Sequence, residues 1–297
     1  MIEVRELFKR FNKKEILNGL NMTVPDGSIY GLVGLNGSGK STLMRLICGV
    51  LKADSGSITI DGTEVYDSPA AKSRLAFVPD EPYFLPGADL HRMAKLYKSL
   101  RPSFSDSVLF ELAHTLRIDA DRKISDFSKG KKRQTAIILA LACQPKYLIM
   151  DETFDGLDPA VRGKVRKIIF EKIAVNGMTV LMTSHSLREL DDTCDVLSLL
   201  HGGKIAFSGD IHNIKSSVLK VQTAFNSDFD EKCLCGLEIL SLKKTGRVVE
   251  FAARADAEQI KARILPMSPL FFEVLPLTLE EVFIYETGAI DFDGERL

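Results

Sequence analysis

Eight consecutive residues constrain this chain more than any other stretch of its sequence. Gly34-Leu35-Asn36-Gly37-Ser38-Gly39-Lys40-Ser41 fits the pattern GxxxxGK[ST], and it stands between an apolar run, IYGLV, and a segment whose apolar residues recur with a 3.6-residue period. The order is strand, glycine loop, helix. From average residue frequencies, a chance match occurs about once in a hundred chains of this length. Glycines let the backbone close around phosphate oxygens, and the amides of the loop and of the helix N-terminus point at the anion. Lys40 is placed to reach the β and γ phosphates of a nucleotide, and the Ser41 hydroxyl suits a Mg²⁺ ligand. Thr42 helps to cap the phosphate site.

Bulk charge points to no polyanion. The chain has 297 residues with 39 Lys or Arg and 40 Asp or Glu, a formal net charge of -1, whereas nucleic acid held by charge usually needs a basic excess or stripe. With 45% hydrophobic residues and only 21 Gly and 11 Pro, usage is that of a folded globular chain. The longest apolar runs, such as Thr135 to Cys143, fall well short of the roughly 18 residues that span a bilayer. The start, MIEVRELFKRF, has no pattern of a secretory signal, so the cytosol is the expected compartment. Five cysteines fit reduced thiols better than a disulfide framework, and the Cys233/Cys235 pair lacks the second pair that a metal site would need.

Along the chain, IEVREL, LNMTV and IYGLVGL read as strands meeting at turns. Residues 85–125 carry helical spacing (Leu90, Met93, Ala94, Tyr97; Leu109, Leu112, Ala113, Leu116) and read as a helical insert. A helix from Ser128, the run YLIM and the run MTVLM complete an alternation of short apolar strands and helices, the pattern of a parallel sheet covered on both faces. Beyond about Gly209 the texture changes to LKVQTAF, LEILSLKK, VVEFAA and a helix from about Asp256 to Ile264, a small α+β appendage.

Two acids end the run Tyr147-Leu148-Ile149-Met150-Asp151-Glu152. Alone, an Asp-Glu pair is usually a solvated turn. Four apolar residues before it deliver both carboxylates to the C-terminal end of a strand, where open parallel sheets bind ligands. Asp151 suits the magnesium position, direct or through water, and Glu152 the base that polarises an attacking water.

Phe127-Ser128-Lys129-Gly130-Lys131 lies between these two motifs along the chain and directly before a helix. Taken alone, Ser128 reads as a helix N-cap. Together with the other motifs the chain resembles the nucleotide-binding subunit of an ATP-binding cassette (ABC) transporter, whose signature is LSGGQ. Ser128 and Gly130 match it, and Lys129 and Lys131 depart from it. In the family, that serine and glycine touch the γ-phosphate bound by the other subunit. The resemblance extends to Asp155-Gly156-Leu157-Asp158, similar to the D-loop at the dimer interface, and to Thr183-Ser184-His185, similar to the switch histidine that senses the γ-phosphate. Phe11 stands where the family places an aromatic ring against adenine, although by itself it reads as core. Asp80 replaces the family's Q-loop glutamine and, as an acid, can still ligate magnesium.

The resemblance implies an α/β fold of the P-loop NTPase, ABC ATPase type with a helical subdomain insert, followed by a small C-terminal α+β domain. The expected division is 1–212 for the ATPase and 213–297 for the accessory domain. The implied function is ATP hydrolysis with Mg²⁺, powering export through a separate integral membrane permease, of a peptide, antibiotic or lipid-like cargo because the tail LTLEEVFIYETG resembles that of ABC-2-type exporter ATPases. Catalysis is assigned to Glu152, His185 and Lys40. Nucleotide contacts are assigned to Phe11, Gly34, Asn36, Gly37, Ser38, Gly39, Lys40, Ser41, Thr42, Ser128, Gly130 and Asp158, and metal contacts to Ser41, Asp80 and Asp151. The implied partner is a second ATP-binding subunit, identical or a sister chain, head to tail, with no nucleic acid. The implied location is the inner face of the cell membrane, through the permease. An ABC ATPase acting on ribosomes or DNA, or an importer subunit, is the alternative; the former usually needs two cassettes or a long coiled-coil insertion.

Overall fold

Alternating burial sets the first two strands. β1 (Ile2–Phe11) turns inward Ile2, Val4 and Leu7, and β2 (Lys14–Val24) turns inward Leu17, Leu20, Met22 and Val24, with the two strands antiparallel. The turn between them uses Asn12 at φ 53°, a left-handed conformation that Asn tolerates. β3 (Ile29–Val33) is buried at every residue, as a strand inside a covered parallel sheet must be, and the glycine loop leads it into α1 (Lys40–Ile47). β4 (Ser55–Ile60) and β5 (Thr63–Glu64) then extend the first sheet, whose order is β2-β1-β4-β5.

A computed structural model describes residues 1–226, 229, 231–275 and 277–287. After α2 (Pro69–Ser73) and β6 (Leu75–Val78), the region 85–125 carries α3 (Leu90–Leu100) and α4 (Asp106–Thr115). α5 (Lys129–Ala142) follows and is buried from Arg133 onward, with a polar first half and an apolar second half, Ala136 to Ala142, packed in the interior. β7 (Tyr147–Met150), α6 (Pro159–Asn176), β8 (Thr179–Ser184), α7 (Leu187–Asp191), β9 (Val196–His201) and β10 (Lys204–Asp210) complete a six-stranded sheet of order β10-β9-β3-β8-β7-β6. Strands β9, β3, β8, β7 and β6 run parallel. The glycine loop, the Asp151 turn and the His185 turn therefore leave the sheet at one edge. Helix starts obey local chemistry: Asp89, Ser105, Ser128 and Asp158 each accept the amide of the third residue of the helix they precede.

Two compact units divide the chain, Met1–Ser208 and Gly209–Leu297. The division lies a few residues from the expected 212/213, and Asp210 at the start of the second unit caps α8 (Ile211–Ser217) through Asn213 at 3.0 Å. The second unit is an antiparallel sheet of order β12-β13-β11-β14, made of β11 (Leu219–Ala224), β12 (Glu238–Thr245), β13 (Val248–Arg254) and β14 (Phe271–Leu275). α9 (Ala257–Ile264) buries Ile260 and Ile264 against Val221, Val249 and Phe251, and α10 (Leu279–Thr287) is tied to β11 by Lys220–Glu281 at 2.8 Å. Among the described residues no helix is long and apolar enough to cross a membrane.

Candidate functional site

Close approach dictates the glycine loop. A Cβ on Gly34 would lie 2.6 Å from the Leu200 carbonyl and 2.7 Å from Ser38 Oγ, and Gly39, at φ 109°, turns the chain into α1. Lys40 is buried at 3% exposure, and its Nζ donates to the Gly34 carbonyl at 2.7 Å and lies 3.2 Å from Glu152 Oε1. The loop thus wraps around its own lysine. Ser38 Oγ is buried inside it without a hydrogen-bond partner, a hydroxyl left open to an acceptor. Asn36 and Gly37 form the exposed crest, with Ser41 and Thr42 half-buried at the first turn of α1.

β7 delivers Asp151 and Glu152 as its apolar run ends. Asp151 is 3% exposed; burial raises its pKa, while hydrogen bonds from Thr183 and Ser41 counter that rise. Thr183 Oγ1 donates to Asp151 Oδ1 at 2.8 Å and accepts the Glu152 amide at 2.9 Å. Glu152 takes φ 45°, a left-handed turn at a non-glycine residue that swings its carboxylate toward Lys40. One threonine therefore holds both acids. Its signal in the sequence is slight: a polar residue ending an otherwise apolar strand.

The next turn builds a second acidic centre. Asp155 lies 2.7 Å from His185 Nδ1 and accepts Ser184 Oγ at 3.0 Å, and Ser184 also reaches Glu189 at 3.1 Å. Burial first, and then the adjoining Glu189 carboxyl, push Asp155 up to about 8. Glu189 is countered by Arg162 at 2.7 Å. Ligand atoms of Glu152, Asp155 and His185 lie within 4.8 Å of one another, so the base assigned from the strand end and the histidine assigned from the next strand meet. Glu189 and Arg162 carry no motif and were not legible in the sequence.

Other assigned residues sit farther out. Ser128 is exposed and accepts the Lys131 amide at 3.3 Å, and Gly130 faces the Gly156 carbonyl, 3.3 Å from where a Cβ would be. Asp158 is exposed and caps α6 through Val161 at 3.0 Å. Lys131 does not extend a basic signature toward a ligand, since its Nζ donates to the Leu116 and Arg117 carbonyls at 2.9 and 2.8 Å, closing the end of α4. Asp80 forms an ion pair with Arg133 of α5. Phe11 is 44% exposed at the end of β1 with Lys9 Nζ 5.4 Å above its ring, so the core reading of this ring gives way to an accessible aromatic.

A buried lysine in a glycine loop, two acids at the end of a parallel strand and a histidine on the neighbouring strand define a nucleoside triphosphatase of the P-loop class. The family model of the ABC transporter matches residues 17–155. The chain is 33% identical over 208 residues to the lantibiotic transport ATP-binding protein SrtF of Streptococcus pyogenes, covering 69% of this chain and 89% of that protein. It is 30% identical over 305 residues to the Nod factor export ATP-binding protein I of Rhizobium meliloti (strain 1021), covering 97% of this chain and 88% of that protein. A solved structure of an ATP-binding subunit of an ABC transporter superposes with a TM-score of 0.67 at 27% identity, covering 72% of this chain and 92% of the other. The chain belongs to the ATP-binding proteins of ABC transporters. It binds and hydrolyses ATP.

Proposed function

We propose that this ATPase powers export, through a separate membrane permease, of a cargo of the peptide, antibiotic or lipid-like kind. The names of the relatives support export and transport of such compounds. The observation that carries the site reading is the junction of Lys40, Glu152, Asp151 and Ser41 at one end of the parallel strands. Lys40 would leave its loop carbonyl for the β and γ phosphates, with Ser38 supplying a further donor. Glu152, freed of Lys40, would accept the proton of the attacking water, and His185, oriented by Asp155, would contact the γ-phosphate. The oxygen donors of Ser41 and Asp151 fit a hard divalent cation, and Mg²⁺ held there would neutralise charge on the phosphate oxygens. Asp80, with its charge matched by Arg133, is not needed as a ligand in this reading.

Ser128 and Gly130 would complete the site of a second ATP-binding subunit placed head to tail, and Phe11 would stack on adenine. Both groups are exposed or half-exposed, as such roles require. Placement would be cytoplasmic, on the inner face of the membrane through the permease. Co-purification with a candidate permease and ATP-dependent cargo efflux from vesicles test this, and efflux that persists with Glu152→Gln would refute it.

A further inference from the structure

Arg133 is buried at 4% exposure, five residues past Ser128 on the helix that opens with the signature. Its Nη2 pairs with Asp80 Oδ1, and its Nε donates to the Asp80 carbonyl at 3.3 Å. The rest of the guanidinium lies against Gly156: a Cβ built there would fall 1.9 Å from Nη1 and 2.6 Å from Cζ. Gly156 takes no left-handed φ, so the reason for glycine at this position is the guanidinium itself. One side chain thus fills the space between the turn after β6 and the turn after β7.

Stability alone does not account for it. Burying a charge is costly, and an apolar residue of the same volume usually serves a core as well as a buried ion pair does. What an apolar residue cannot do is fix two backbone segments at a set spacing. The segment touched through Gly156 carries Asp155, which lies 2.7 Å from His185 Nδ1 and accepts Ser184. Asp80 and Arg133 also belong together chemically, since the planar fork of a guanidinium can meet a carboxylate on one edge while its other edge packs flat on a peptide.

We propose that Arg133 is a positioning residue of the ATPase: it locks the Asp80 turn and the Gly156 turn together and, through Asp155, sets the place of His185 beside Glu152. This rests on the reading that Glu152 and His185 carry out hydrolysis. The carboxylate of Asp80 serves here as the anchor of that lock.

The full-length chain decides this with Arg133→Met, Arg133→Lys and Gly156→Ala, the last of which displaces the guanidinium without removing any charge. Two readouts apply: kcat and KM for MgATP, and hydrogen exchange at the amides of Asp80 and Glu81 and of 154–157. Arg133→Met and Gly156→Ala should lower kcat by about ten- to hundred-fold, the usual effect of small misplacement. KM should stay within about three-fold, and exchange should quicken at both turns and not elsewhere. Arg133→Lys, a point charge without a fork, should protect the Asp80 turn and leave the Gly156 turn loose. The proposal falls if Gly156→Ala keeps wild-type kcat and wild-type exchange, or if exchange quickens uniformly through the chain, which would make Arg133 a stability residue. A wild-type chain that hydrolyses no ATP would overturn the assignment of Glu152 and His185 instead, and the exchange pattern would then decide the lock by itself.

Discussion

The hydroxyl of Thr183 is bonded to the carboxylate of Asp151 at 2.8 Å, so a residue of β8 fixes an acid of β7 across the sheet. The same oxygen accepts the Glu152 amide at 2.9 Å, which pins the left-handed turn that presents the base. Thr183→Val keeps the volume and removes both bonds, leaving a buried carboxylate oxygen and an amide unsatisfied. The expected cost is about 1–3 kcal/mol in urea denaturation, with kcat lowered more than ATP affinity. A variant with wild-type stability and turnover would show that the hydroxyl is replaceable by water.

Lys40 carries the phosphate end of the site. Lys40→Ala should abolish tight MgATP binding, read by titration with a fluorescent ATP analogue, because it removes the buried cation of the glycine loop. Affinity unchanged by the substitution would make the loop structural only.

Glu152→Gln should bind ATP and turn it over about a hundred-fold or more slowly, the usual loss for a positioned base. If Ser128 and Gly130 complete a partner's site, trapped ATP should also hold two chains together. Light scattering with and without ATP reads this directly, and a variant that stays monomeric at high concentration argues against the shared site.

Asp155 makes stability depend on pH with a definite sign. Its folded pKa of about 8 lies above the ordinary 3.8, so the native chain keeps a proton that the unfolded chain releases. The stability this contributes is complete below about pH 4 and is lost as pH rises toward 8, at up to about 1.4 kcal/mol per unit. Asp155→Asn should therefore gain on the wild type as pH rises from 6 to 8, in thermal melts across that range. A constant difference between the two curves would mean that Asp155 is ionised beside Glu189 throughout, with Arg162 supplying the countercharge.

Every residue assigned to phosphate chemistry lies before Ser208, in the first compact unit. A chain ended after Asp210, which keeps β10 whole, should bind ATP within about three-fold of the full chain, a difference of under 1 kcal/mol. Loss of binding in a folded fragment would mean that the second unit reaches the site.

The sequence by itself determined those parts of the protein whose cause is local. Gly34 to Ser41 names its own loop because glycine conformation and helix N-terminal amides act over a few residues, and Tyr147 to Met150 announces a buried strand with acids at its end. Ser128 marks a helix start for the same reason, since a cap bonds only two or three residues ahead. His185 was singled out through the resemblance, as the residue that follows the apolar run MTVLM.

Tertiary structure decided which distant side chains meet, and periodicity carries no record of that. Asp80 reads as a magnesium ligand when aligned with a family motif; that Arg133, 53 positions along the chain, forms an ion pair with it is visible only in the fold. Lys131 reads in the sequence only as a departure from LSGGQ; the end of α4 folds back within reach of its ammonium, and carbonyls left open by a helix end are strong acceptors. Phe11 reads as core by composition, and it is exposed because β1 ends there at the edge of its sheet's turn. Thr183 and Glu189 acquire their roles only because the parallel register sets β8 beside β7, which brings the ends of strands distant in sequence to one edge.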